Sequence, residues 1–244
     1  DCLQSYHIRG RMVELPEEII DEIDFYMYQT GHSAKESDKE MCYQMPEYFL
    51  TNYPVKPLIN SEPCYESIGY AGNMYGRFHQ FDIRRAAWQS LLAGASAGIT
   101  YGAGGVYSWH EYGKHFSPCI GEGFDMPHPW QIALHYPGAW DYSDIKHIFC
   151  EYKITDLNPR QDILLNETKE IRIAEYQNRY FIYVPENTTI KLKIDINDIE
   201  SITILDLETR RKEIGNKYKK DGICCLEMHT FGHDVLYIVE LKNI

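Results

Sequence analysis

The 244-residue chain has no apolar run near the ~20 residues a membrane-spanning helix requires. Its one long apolar stretch, Ala86–Ala97, is broken by Gln89, Ser90 and Gly94, so a membrane partner is not expected. Lysine and arginine number 24 against 36 aspartates and glutamates, a formal net charge of -12, and the basic residues gather in no stripe. Nucleic-acid binding rests on clustered cations, so that class of partner is not expected either. The seven cysteines include the adjacent pair Cys224 and Cys225 but no CxxC or other ligand spacing. Read as mostly buried, unpaired thiols, they favour a reducing, cytoplasmic compartment; a signal peptide preceding Asp1 would instead make the protein secreted.

Two further absences narrow the chemistry. The glycine-rich Thr100-Tyr-Gly-Ala-Gly-Gly105 is followed by no Lys-Ser/Thr pair and has no GxGxxG register, so a phosphate-bearing cofactor is not implied. His110 and His115, near Glu111, lack a strict ligand spacing, and no metal is expected. Aromatic residues, by contrast, reach 14%, with 20 tyrosines and four tryptophans. Such side chains are apolar and hydrogen-bonding at once, the combination a sugar-binding cleft needs.

The chain changes character along its length. From Asp1 to about Thr155, short apolar strands alternate with helical spacing: a strand at Ile23–Gln29, a helix at Lys35–Thr51, a strand at Pro57–Asn60, a helix from Asp82, a strand near Ala97–Tyr101 and a helix at Trp130–Tyr152. Such alternation predicts a parallel sheet, doubly wound or barrel-shaped. From about Asp162 to Ile244 the pattern is strand and turn, predicting a small antiparallel β-sandwich. Asp156-Leu-Asn-Pro-Arg160 marks the junction between domains 1–155 and 162–244. A complete eight-stranded barrel takes ~250 residues. If the first domain is a barrel, it is the C-terminal half of one.

The segment Lys56-Pro-Leu-Ile-Asn-Ser-Glu-Pro-Cys-Tyr-Glu66 carries the sharpest signal. An apolar strand runs into Glu62, and Pro63 forces the chain out of the ladder, leaving the carboxylate at the strand's C-terminal tip. In a barrel that tip is the active-site face. Glycoside hydrolysis needs two carboxyl groups about the scissile bond, and Glu62 is a candidate for one; a salt-bridged strand-end glutamate is the alternative. Glu66 is the rival carboxylate, expected with Tyr65 to contact substrate. The preceding strand delivers Gln29 and His32 to the same face, and the following one delivers Tyr101 and then Trp109, either as sugar contacts or as core residues.

Three motifs in order, Asp24-Phe-Tyr-Met-Tyr-Gln-Thr-Gly-His32, the Glu62 segment, and Arg84-Arg-Ala-Ala-Trp-Gln-Ser-Leu-Leu-Ala-Gly-Ala-Ser-Ala-Gly-Ile-Thr-Tyr-Gly102, resemble the apiosidase-like glycoside hydrolases over about Asp1 to Tyr152. The resemblance implies a retaining hydrolase acting on plant-type polysaccharide side chains, apiose or a related pectic sugar among them. Glu62 would be the nucleophile of the Gly/Ser-Glu-Pro motif, with Ser61 where many relatives carry glycine. It also implies a following β-sandwich of collagen-binding type. The family's acid/base carboxylate comes from an earlier strand and matches no residue here; the sequence starts near the fifth strand, at Asp1–His7. The expectation is a fragment whose missing N-terminal half-barrel is either a separate partner chain or lost by truncation, with a carbohydrate as substrate. The alternative is a non-catalytic carbohydrate-binding or interaction protein with a degenerate half-barrel.

Overall fold

A computed structural model describes residues 2–117 and 123–242. Asp1, at the head of the expected fifth strand, and Cys119 lie outside the described residues. The chain divides into two compact units, Asp1–Ile148 and Phe149–Ile244.

The first unit is built on a parallel sheet in the order β1 (Tyr26–Gln29), β2 (Leu58–Glu62), β3 (Gly98–Ile99). Alternation fixes its faces: Tyr26 and Tyr28 in β1, and Leu58 and Asn60 in β2, are all buried. Against them lie two helices, α1 (Met41–Asn52) and α2 (Gln80–Leu92). Phe49 of α1 meets the rings of Tyr26 and Tyr28, with centroids 5.3 and 6.2 Å apart. The Asn60 amide donates to Ser90 Oγ of α2 at 3.0 Å, giving that buried polar group a partner. Each strand returns to its neighbour through a helix, the connection parallel strands require. Asp82 closes a capping box at the start of α2 by accepting from the His79 backbone N–H at 2.8 Å.

Two expected helices are interrupted. The run predicted at Lys35–Thr51 forms a single turn, Glu36–Lys39, before α1 begins. The run predicted at Trp130–Tyr152 forms a turn at Trp130–Ala133 and then α3 (Gly138–Glu151). Pro137 separates them, because proline has no N–H for a continuing ladder and biases the residue before it away from helix. The strand expected at Asp1–His7 is reduced to one parallel bridge, His7 to Met27.

The second unit holds a six-stranded antiparallel sheet, in the order β4 (Asn158–Pro159), β5 (Arg172–Tyr176), β6 (Arg179–Val184), β12 (Val235–Leu241), β8 (Ile199–Asp206), β9 (Lys212–Ile214). A second sheet runs β10 (Lys217–Lys220), β11 (Ile223–Leu226), β7 (Ile190–Leu192). Ile173, Ile182, Ile204 and Tyr237 of the larger sheet share one apolar core with Ile190, Leu192, Cys224 and Leu226 of the smaller. The Asn-Pro step expected to be a junction is an edge strand instead, the position in a sheet that tolerates proline. Strands β9 and β10 escape sequence reading because their residues are largely exposed and charged, without apolar alternation.

Of the described cysteines, Cys42, Cys64, Cys224 and Cys225 are buried, while Cys2 and Cys150 are exposed. No helix among the described residues is long and apolar enough to cross a membrane.

Candidate active site

Glu62 is the last residue of β2, its side chain 25% exposed. A bulge between Tyr28 and Gln29 sets Gln29 opposite Glu62. The backbone N–H groups of Thr30 and Gly31 both donate to the Glu62 carbonyl, at 3.2 and 3.4 Å. Gly31, at φ 75°, takes the left-handed conformation that glycine adopts without strain, and the turn brings His32 back over the strand end.

His32 Nε2 lies 3.2 Å from Glu62 Oε1. The other ring nitrogen, Nδ1, is 3.4 Å from the backbone N–H of Tyr65. An N–H can only donate, so Nδ1 accepts there, and in the neutral ring the proton sits on Nε2 and points at the carboxylate. His7 approaches the second oxygen, Nε2 to Oε2 at 3.5 Å. The Gln29 amide is turned to other partners: it donates to the Ile8 carbonyl at 2.7 Å and lies 3.5 Å from His7 Nδ1, steadying the segment that carries His7. The hydrogen bond from His32 holds the Glu62 carboxyl below its ordinary range; partial burial opposes this, and the charges of His32 and His7 add to it. Glu62 is therefore an anion at neutral pH, the form a nucleophile needs.

Tyr65 packs beside His32, ring centroids 4.5 Å apart, and burial pushes its phenol up to about 12. Gly102 lies under this ring so closely that a Cβ there would be 2.1 Å from Tyr65 Cδ1. The glycine run thus serves close packing.

Glu66 and Tyr101 form a different group. Glu66 is 3% exposed and accepts from the Tyr101 hydroxyl at 2.7 Å and from the Gly138 backbone N–H, at 2.9 Å to Oε2. Burial raises its carboxyl, against the lowering effect of those two donors. Both oxygens serve the chain itself, anchoring the loop after β2 to the first residue of α3. Trp109 stands further out, 60% exposed, its ring stacked on Trp130.

Of the sequence-expected residues, His32 touches both Glu62 and Tyr65, and Gln29 joins them through His7. Sequence reading missed His7 as a site residue; its one signal was its place at the end of the expected strand Asp1–His7. Among the described residues no group of three or more His, Cys, Asp or Glu side chains could hold a metal ion.

No curated protein matches the chain. Among solved structures, a glycoside hydrolase superposes with a TM-score of 0.80 at 20% identity, over 98% of this chain and 57% of its own. A family 5 glycoside hydrolase from Bacteroides vulgatus gives 0.79 at 20% identity, over 98% and 55%. The fold is that of these hydrolases, and the chain spans little more than half their length. The family of apiosidase-like catalytic domains matches residues 1–156, the stretch that carries the parallel sheet, His32 and Glu62, and the chain belongs to that family.

Proposed function

We propose that the chain supplies the nucleophile of a retaining glycosidase that cleaves O-glycosyl bonds in plant-type polysaccharide side chains. The carboxylate of Glu62 carries this reading: it ends a parallel strand, is ionised, and has a histidine at each oxygen, at 3.2 and 3.5 Å. In the first step Glu62 attacks the anomeric carbon, a glycosyl ester forms, the glycosidic C–O bond breaks and a general acid protonates the departing oxygen. Water then cleaves the ester and restores the carboxylate. His32 and His7 orient the two oxygens, leaving one lone pair aimed at the sugar. Family membership supports a pectic sugar such as apiose as the class of unit removed.

In this reading the parallel sheet and its helices are the C-terminal part of a (β/α)8 barrel, whose strand ends form the open face. The two antiparallel sheets are the accessory β-sandwich, of collagen-binding type. The acid/base carboxylate belongs to chain outside these 244 residues. The relatives' greater length supports this.

Trapping tests the nucleophile directly. Incubation with 2-deoxy-2-fluoro glycosides bearing a dinitrophenolate leaving group should yield a covalent adduct, located by mass spectrometry on the peptide containing Glu62. An adduct on Glu66 would move the nucleophile there. Absence of any adduct across the pectic sugars would favour the non-catalytic carbohydrate-binding alternative.

A further inference from the structure

We infer that Glu66 is a positioning residue for the Glu62 site: its buried carboxylate clamps the loop after β2, and the clamp fixes the Tyr65 N–H that sets the tautomer and orientation of His32 against Glu62. The inference rests on the reading of Glu62 as the nucleophile and adds what holds that carboxylate's partner in place.

Residue 66 is tied down at every polar group it has. Its N–H donates to the Gly102 carbonyl at 2.9 Å and its carbonyl accepts from the Gly104 N–H at 2.8 Å, a parallel bridge to Ala103 just beyond β3. Its carboxylate accepts from the Tyr101 hydroxyl at 2.7 Å and, with both oxygens, from the Gly138 N–H at 3.1 and 2.9 Å. Gly138 opens the 14-residue α3, and the leading N–H groups of a helix have no partner inside it and favour an anion. The approach is so close that a Cβ on Gly138 would lie 2.3 Å from Glu66 Oε2. Both partners are donors, so a carboxylate satisfies them; an amide in either orientation sets an NH2 against the Gly138 N–H.

The clamp reaches Glu62 through one residue. Tyr65 immediately precedes Glu66, and its N–H points at His32 Nδ1, 3.4 Å away. While that donor is in place Nδ1 accepts, the ring proton stays on Nε2, and Nε2 faces Glu62 Oε1 at 3.2 Å. Peptide planes are rigid, so the aim of the Tyr65 N–H is set by the few backbone torsions that the clamp on residue 66 holds. Released, His32 can carry its proton on Nδ1 and turn a lone pair toward the carboxylate, and the Glu62 carboxyl rises. The titratable groups around Glu62 are His32, His7 and Tyr65; around Glu66 they are Tyr101, Tyr136, Tyr142 and the ion pair of Arg84 with Asp141. Removing the Glu66 charge would by Coulomb attraction and repulsion alone lower the Glu62 carboxyl. Loss of the clamp raises it, so the direction separates the two effects.

The test is a titration of Glu62 by carbon-13 NMR in protein labelled at glutamate Cδ, its signal assigned by its loss in Glu62→Gln, with nitrogen-15 spectra reading the tautomer of His32. Glu66→Gln should raise the Glu62 midpoint by about half a pH unit, the worth of one weak hydrogen bond, and admit the Nδ1–H tautomer. Gly138→Ala, which keeps the charge and displaces the carboxylate, should do the same. Tyr101→Phe removes one donor at nearly constant volume; it should give a smaller rise, and it decides the matter where the other two fail to fold. Loss of stability alone would lower the denaturation midpoint and leave both signals in place. A Glu62 midpoint unmoved or lowered, or a His32 tautomer unchanged, in the folded variants overturns the positioning role. Fluoro-glycoside labelling of the parent is read separately. A parent that fails to label while Glu62 still responds to Glu66 sinks only the nucleophile assignment, and a parent that labels while Glu62 stays put in the variants sinks only the clamp.

Discussion

At Glu62 one hydrogen bond sets the ionisation on which the proposed chemistry depends. His32 lowers the carboxyl below the ordinary glutamate range, so the proposed nucleophile stays charged to a lower pH than a free glutamate would. Removing the imidazole lets the carboxyl rise. His32→Ala should therefore shift the acidic limb of the labelling rate against pH upward; an unmoved limb would deny His32 this role. The sign for stability follows from the same linkage: a depressed native carboxyl contributes stability above the unfolded value of ~4.3, and that contribution is lost as pH falls through the lowered native value. Acid denaturation of His32→Ala should accordingly begin at higher pH than in the parent. Glu62→Gln keeps the side-chain volume but cannot form a glycosyl ester. It should abolish both labelling and hydrolysis with the thermal midpoint little changed, whereas activity within tenfold of the parent would reject Glu62.

The elements carrying this residue were legible to different degrees, for physical reasons. Pro63 ends the ladder, so the strand end at Glu62 could be read from covalent geometry, and the short apolar run Ile23–Gln29 marked β1 as a buried strand. The break at Pro137 was legible in principle but was overridden by the helical spacing on either side. Strands β9 and β10, exposed and lysine-rich, exist because neighbouring strands offer them a ladder; nothing local encodes that. The site divides in the same way. Glu62 and His32 follow neighbouring strands, so their adjacency was legible in the sequence, whereas His7 and the Glu66–Tyr101 bond depend on long-range packing. The Gly102–Tyr65 contact is of that second kind and can be tested. A Cβ at Gly102 would overlap the Tyr65 ring, and overpacking of this sort costs about 1–3 kcal/mol. Gly102→Ala should lower stability by that amount in denaturant titration and slow labelling of Glu62, because the displaced ring abuts His32. An unchanged denaturation midpoint would show that Tyr65 moves aside freely.

At the scale of the whole molecule, the nucleophile reading requires a second carboxyl group. The groups in contact with Glu62 are histidines, and Glu66 is buried with its oxygens bonded to Tyr101 and Gly138. Neither is placed to protonate a leaving oxygen across the scissile bond. The solved structures it resembles continue for nearly as much chain again, and the proposal assigns the proton donor to such a segment. The consequence concerns which bonds this polypeptide can break by itself. A dinitrophenolate departs without a proton, so the first step with an activated glycoside needs only Glu62. A natural glycosidic oxygen needs general-acid help, whose loss costs ~10²–10⁴-fold. The purified 244-residue chain should therefore label with activated fluoro-glycosides yet show that deficit on unactivated oligosaccharides, relative to a protein that also includes the segment bearing the acid. Efficient turnover of unactivated substrate by the 244-residue chain would mean that a carboxyl group within it donates the proton. The search would then turn to its own acidic side chains.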